Sequence, residues 1–182
     1  MVRQFAMYHS ATDSRTEIPP EGLLPYKYHR KPPYIYSESE IIKLFKAAKR
    51  LPSQTGLKPK TYVTLLGLLA VTGMRISEII NLNNDDVNQE QGVLTIRQTK
   101  FGKTRLVPIH SSTQRMLRQY IRFRDKIHPK QKTPNFFVSE RGTRLRYDIV
   151  HRTYVQLSRK IGLRGSSDSH GPRLHDFRHR FA

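Results

Sequence analysis

The run Tyr62-Val63-Thr64-Leu65-Leu66-Gly67-Leu68-Leu69-Ala70-Val71-Thr72-Gly73-Met74-Arg75-Ile76-Ser77-Glu78-Ile79-Ile80 carries the strongest structural signal in the chain. Residues 62–71 are apolar on nearly every side of a helical wheel, so they predict a buried helix and not a surface one. Gly73 then breaks the helix. Ile76, Ile79, Ile80 and Leu82 restart an apolar stripe, which predicts a second, short helix. Arg75 sits between the two. An isolated arginine is by default an exposed, solvated one. Here a buried helix and a glycine turn fix the backbone just before it. Such a rigid mount suits a guanidinium that grips a phosphate through two parallel hydrogen bonds.

Upstream, Ser37-Glu38-Ser39-Glu40 has capping-box spacing and precedes Ile41, Leu44, Phe45 and Ala48 at helical intervals. Downstream, Val93-Leu94-Thr95-Ile96-Arg97 and Arg105-Leu106-Val107-Pro108-Ile109 read as paired strands, with Lys100-Phe101-Gly102-Lys103 as the hairpin connection. Two amphipathic helices follow, one on Met116, Leu117, Tyr120 and Ile121, the other on Val150, Tyr154, Leu157 and Ile161. Gly162 stands where a C-cap belongs. Residues 165–169 read as a loop, and a last helix is expected from about Leu174. The fold class expected is α+β, mostly helical with a small antiparallel sheet.

Residues 15–33 contain Pro19-Pro20, Gly22, Pro25 and Pro32-Pro33 among basic residues, which predicts an extended linker. Ahead of it, residues 1–9 hold only a Phe5/Tyr8 apolar pair and read as the tail of an upstream element. The expected division is therefore 1–33 and 34–182.

Lys and Arg number 33 against 14 Asp and Glu, a formal net charge of +19. Such a surface repels itself unless an anionic partner is present, and nucleic acid is the usual one. The charge is spread along the chain, which disfavours an amphipathic membrane-binding helix. No stretch approaches a membrane span and the first ten residues lack a signal-peptide core, so a cytoplasmic, nucleoid-associated protein is expected. Cysteine is absent, which removes disulfides and thiolate metal sites.

Among residues able to carry chemistry, Lys100 and Lys103 occupy the hairpin between Arg97 and Arg105. By spacing alone they are a solvated basic turn at least as readily as an amine delivered into a DNA groove. His175-Asp176-Phe177-Arg178-His179 opens the last predicted helix, where His175 and Arg178, three apart, share one face. His175 and His179 have the spacing of a helical zinc pair, yet no Glu lies between them and Arg178 and Arg180 oppose a cation. Asp85-Asp86 is more simply a turn and cap than a metal pair. No glycine-rich phosphate loop is present, and no metal or cofactor is expected.

Three stretches together resemble the tyrosine recombinase (phage integrase) family: residues 72–79, 99–109 and 174–179. The resemblance runs from about Ser37 to the end, and implies an integrase-like catalytic domain over residues 34–182. It further implies that residues 1–33 are the remnant of an N-terminal DNA-clamping domain with its linker. It implies that Arg75 and Arg178 bind the scissile phosphate, that Lys100 acts as general acid with Lys103 as the neighbouring candidate, and that His175 assists proton transfer. Glu78 would buttress the arginine-bearing helix. Arg97, Lys103, Arg105, Arg173 and His179 would contact DNA. The implied activity is site-specific recombination or integration through a 3′-phosphotyrosyl intermediate on double-stranded DNA, with the full-length protein a homo-oligomer (tetramer) on DNA, without metal.

Two alternatives share these residues: a non-catalytic DNA-binding module of the same fold, and a type IB topoisomerase-like enzyme, which relaxes supercoiled plasmid without site preference. A ribosomal or RNA-binding reading rests on charge alone. The family places its nucleophilic tyrosine C-terminal to the His-x-x-Arg pair, and none of Tyr8, Tyr26, Tyr28, Tyr34, Tyr36, Tyr62, Tyr120, Tyr147 and Tyr154 stands there. The expectation is that this chain alone forms no covalent adduct with a cognate site, checked by denaturing electrophoresis of labelled DNA. An adduct at any of these tyrosines would contradict it.

Overall fold

In the computed structural model, residues 2–23, 32–97 and 103–181 are described. The chain divides into two compact units, Met1–Pro32 and Pro33–Ala182. In the first, α1 (Val2–Ser10) buries only Ala6, and Arg3 Nε donates to the Pro19 carbonyl at 3.0 Å. The apolar pair at Phe5 and Tyr8 thus lies on a helix, with both residues exposed.

The second unit is built around α3 (Leu57–Thr72). Leu57, Leu65, Leu66, Leu68 and Leu69 are all at most 1% exposed, as an all-round apolar helix requires. Val71 differs from expectation at 52% exposed, because the last turn emerges from the core. Packed on α3 are α2 (Glu38–Lys49), α4 (Ile76–Ile80), α5 (Ser111–Ile127) and a C-terminal 3-10 helix, Leu174–Phe181; α6 (Tyr147–Lys160) packs on α2. The capping box of α2 is present, with Glu40 Oε2 accepting from the Ser37 amide at 2.8 Å. At Gly67 of α3 a Cβ would come 3.0 Å from Met116 Sδ, so α5 approaches this helix closely.

The sheet is antiparallel and three-stranded, in the order β1 (Val87–Asn88), β2 (Val93–Ile96), β3 (Arg105–Pro108). Leu94 pairs with Val107 and Ile96 with Arg105, and Leu94 and Ile96 face the core. The hairpin pairing follows the sequence pattern; β1, two residues long, gives no periodicity to read. Asp85-Asp86 forms the predicted turn, a 3-10 turn in which Asp86 Oδ2 accepts from the Asn83 amide at 3.0 Å.

One part of the core has no counterpart in the sequence reading. Phe136 and Phe137 are fully buried in an irregular segment. That segment is fastened to α5 by the buried Arg124, whose Nη1 donates to the Phe136 carbonyl and to Asn84 Oδ1, both at 2.7 Å. The last helix begins at Leu174 as expected and is of the 3-10 type. Its opening turn is tightened by the Asp176 amide donating to the Arg173 carbonyl at 3.0 Å, an i to i+3 bond.

Because Leu68 is fully buried on the helix at the centre of this packing, Leu68→Ala is expected to destabilise the unit by about 2–5 kcal/mol. A shift of the denaturant midpoint with unchanged slope would register it; an unshifted midpoint would contradict the burial.

Candidate active site

Arg75 is the residue before α4, in extended conformation, immediately after the left-handed Gly73 (φ +59) and Met74. A Cβ at Gly73 would come 2.9 Å from Phe181 Cδ2, so the glycine admits Phe181 against the turn. This contact brings the Arg75 turn and the C-terminal 3-10 helix to one place. In 3-10 geometry residues three apart eclipse. Ideal 3-10 geometry would set His175 and Arg178 in one column with Phe181, the residue that packs against the Gly73 turn. The opposite column, Leu174 and Phe177, is buried in the core.

The arginines are held differently. Arg75 Nη1 donates to Glu78 Oε1 at 2.9 Å, and its amide donates to Glu78 Oε2 at 2.8 Å. Arg178 is half-buried, and its Nη1 is buried without a hydrogen-bond partner among the described residues. A buried guanidinium nitrogen without an acceptor is unfavourable unless an anion completes it.

Glu78 is the joint of the site. Besides Arg75 it accepts both Nη groups of Arg105, at 3.0 and 2.8 Å, which ties the base of β3 to α4. Burial pushes its carboxyl up, but the Arg105 guanidinium and the Arg75 amide and guanidinium outweigh this and hold it at about 2. Arg105, expected as a DNA contact, thus has its two terminal nitrogens engaged within the fold.

Burial, then the neighbouring His179 and Arg178 charges, push the His175 imidazole down, so it is predominantly neutral near neutral pH and able to accept a proton. The His175 and His179 rings lie 5.7 Å apart, edge to face. Arg97 pairs with the buried Asp86 at 2.6 Å and Arg173 with the buried Asp176 at 3.0 Å, each with its side chain more than half exposed. Lys103 lies just before β3 and is exposed. Lys100 lies outside the described residues.

The sequence pointed to Glu78 through the resemblance but not to the Arg105 ion pair, since an arginine on a strand carries no mark of which carboxylate it reaches. The Glu78 carboxyl titrates at about 2 in the fold against an ordinary 4.5, so its stabilisation is present above about 4.5 and lost as pH falls toward 2. A shift of this size corresponds to roughly 3 kcal/mol. Glu78→Gln is expected to lower stability at neutral pH and to flatten its decline in acid, measured by urea unfolding from pH 7 to pH 3. Parallel pH curves for the two proteins would contradict the coupling.

Comparison with known proteins follows the same lines. The phage integrase family matches residues 36–182. The chain is 51% identical to y4rB of Sinorhizobium fredii, described as an integrase/recombinase, over all of this chain and 59% of that protein. It is 32% identical to tyrosine recombinase XerC of Chlamydia caviae, over 76% of this chain and 42% of that one. The crystal structure of XerA recombinase superposes with a TM-score of 0.66 at 25% identity, covering 99% of this chain and 58% of that one. A lambda integrase dimer bound to a COC′ core site shares the fold, with a TM-score of 0.63 at 19% identity over 97% of this chain and 62% of that one. The chain thus spans under two thirds of the length of these relatives. With the family match covering residues 36–182, the chain belongs to the phage integrase family.

Proposed function

We propose that the site receives a backbone phosphodiester of duplex DNA and serves site-specific recombination by strand cleavage and religation. The observation that carries this reading is the buried Nη1 of Arg178, unpartnered among the described residues, three residues ahead of the Phe181 that packs against the Gly73 turn. Two guanidiniums there would bind the non-bridging oxygens of one phosphate and stabilise the charge of a pentacoordinate transition state. The family membership and the net charge of +19 support the same partner.

In this reading a tyrosine hydroxyl attacks phosphorus and a P–Oη bond forms. The P–O5′ bond breaks, and the departing 5′-oxygen takes a proton from Lys100. His175, kept neutral by its surroundings, accepts the proton of the nucleophile. The 3′-phosphotyrosyl bond retains the energy of the phosphodiester, and attack by a 5′-hydroxyl reverses the steps without a cofactor. Arg75 and Arg178 hold the phosphate, and Glu78 sets Arg75. Lys103, Arg97, Arg173 and His179 contribute DNA contacts at the rim, whereas Arg105 acts through Glu78. Among related structures is a lambda integrase tetramer bound to a Holliday junction, which supports assembly of the whole protein on two duplexes. In this reading the protein acts on chromosomal or element DNA, which would associate it with the nucleoid.

Two outcomes are expected. First, titrating the chain with inorganic phosphate should move the side-chain Nε–H resonances of Arg75 and Arg178 together, along one binding curve. Movement of neither, or of only one, would contradict a shared phosphate site. Second, affinity for a 30-bp duplex should fall steeply with salt, by a slope of about 0.9 for each phosphate contact, and Arg105→Gln should leave that slope unchanged. A flat salt response would contradict the basic DNA surface.

A further inference from the structure

Just ahead of His175 the backbone is held by side chains from distant parts of the chain. Tyr36 Oη donates to the Arg173 carbonyl at 2.9 Å. Tyr154 Oη lies 3.1 Å from the Pro172 carbonyl, and the two phenolic oxygens are hydrogen-bonded to each other. Arg164, 7% exposed, donates Nη2 to the Pro172 carbonyl at 2.7 Å and to the Gly171 carbonyl at 3.3 Å. The Tyr36 ring stacks on Phe177 of the 3-10 helix with centroids 4.3 Å apart.

The protons can be counted. Two phenols supply two protons to three contacts. The Pro172 carbonyl has two lone pairs and accepts both the Tyr154 hydroxyl and Arg164 Nη2, while the Tyr36 hydroxyl donates to the Arg173 carbonyl. Both carbonyls are thus held by phenolic donors, whose oxygens also contact each other. Burial, the largest influence on each, pushes both phenols up, so the protons stay in place.

Core filling alone does not account for this pair. Phenylalanine fills a core without the penalty of burying a hydroxyl. Tyr62 and Tyr120 are equally buried, yet their hydroxyls reach Ile149, Thr61 and Val138, away from the 3-10 helix. Tyr36, Tyr154 and Arg164 instead converge on the carbonyls of three consecutive residues that lead directly into His175.

We infer that Tyr36, Tyr154 and Arg164 are positioning residues, clamping the carbonyls of Gly171, Pro172 and Arg173 so that the 3-10 helix presents His175 and Arg178 in fixed register. Tyr36 is also the first buried residue of the Pro33–Ala182 unit. Entry of the chain into this unit therefore ends on the segment ahead of His175, held by the Tyr36 hydroxyl on Arg173 and the Tyr36 ring on Phe177. The meaning of that register for catalysis rests on the function proposed above; the clamp itself does not.

The test uses the 182-residue chain with isotopically labelled histidine and arginine, without DNA or phosphate, so it is independent of the proposed function. Tyr36→Phe and Tyr154→Phe keep the rings and delete the hydroxyls; Tyr62→Phe is the control. In wild type the His175 imidazole is held down by burial, His179, Arg178 and Arg173 against the opposing pull of Asp176. Loosening the segment in Tyr36→Phe is expected to raise its titration midpoint by about half a unit or more. It should also speed exchange of the Arg178 Nε–H by roughly tenfold or more. Tyr154→Phe should shift both in the same direction by less, and Tyr62→Phe should shift neither. Should Tyr36→Phe not fold, the Tyr154→Phe and Tyr62→Phe comparison decides by the same signs. Wild-type values in the clamp variants, or equal shifts in Tyr62→Phe, would overturn the inference. Loss of the common phosphate curve for Arg75 and Arg178, with these shifts intact, would discard the function and leave the clamp.

Discussion

A helix that is apolar on every side can be stable in water only when it is covered on every side, and α3 imposes that constraint on the rest of the unit. Helices α2, α4 and α5 and the C-terminal 3-10 helix all pack on it. Arg75 follows its C-terminal end, where the last turn emerges from the core. The left-handed Gly73 does two things at once. It ends the helix, and its missing side chain leaves room for Phe181, so that two segments separated by about a hundred residues of chain meet.

Electrostatics then divides the arginines into those that build and those that remain available. A protein of net charge +19 has few carboxylates to distribute, and those that are buried are paired with arginine. Glu78 accepts from both terminal nitrogens of Arg105 and from one nitrogen of Arg75, which orients the Arg75 guanidinium. Arg178 Nη1 has no protein acceptor among the described residues at all. The low-dielectric surroundings that make an orphaned cationic donor unfavourable also make its pairing with an incoming phosphate strong. The clamp at Gly171, Pro172 and Arg173 completes the arrangement by fixing the backbone from which Arg178 projects.

Much of this was legible in the residues because it rests on local chemistry. The all-round apolar run, the Ser37/Glu40 cap, the glycine break and the alternating strands each report a neighbourhood of a few residues. Arg75 could be singled out from its mount, and His175 with Arg178 from their spacing. What escaped depends on contacts distant in sequence. Phe136 and Phe137 lie in a segment without periodicity, and their burial is decided by Arg124 of α5. The commitment of Arg105 to Glu78, 27 residues away, cannot be told from a free basic strand residue by reading along the chain. Tyr36 and Tyr154 are 118 residues apart and look like ordinary core aromatics until their hydroxyls are seen together. The 3-10 form of the last element was likewise hidden, since residues three apart share a face in either helix type.

The most direct measurement is a crystal structure of the chain bound to duplex DNA. The account predicts one backbone phosphate between Arg75 and Arg178, with Arg178 Nη1 and a free nitrogen of Arg75 each about 3 Å from its non-bridging oxygens. DNA bound elsewhere, with Arg178 Nη1 still unpartnered or the two guanidiniums directed to opposite sides of the unit, would contradict it.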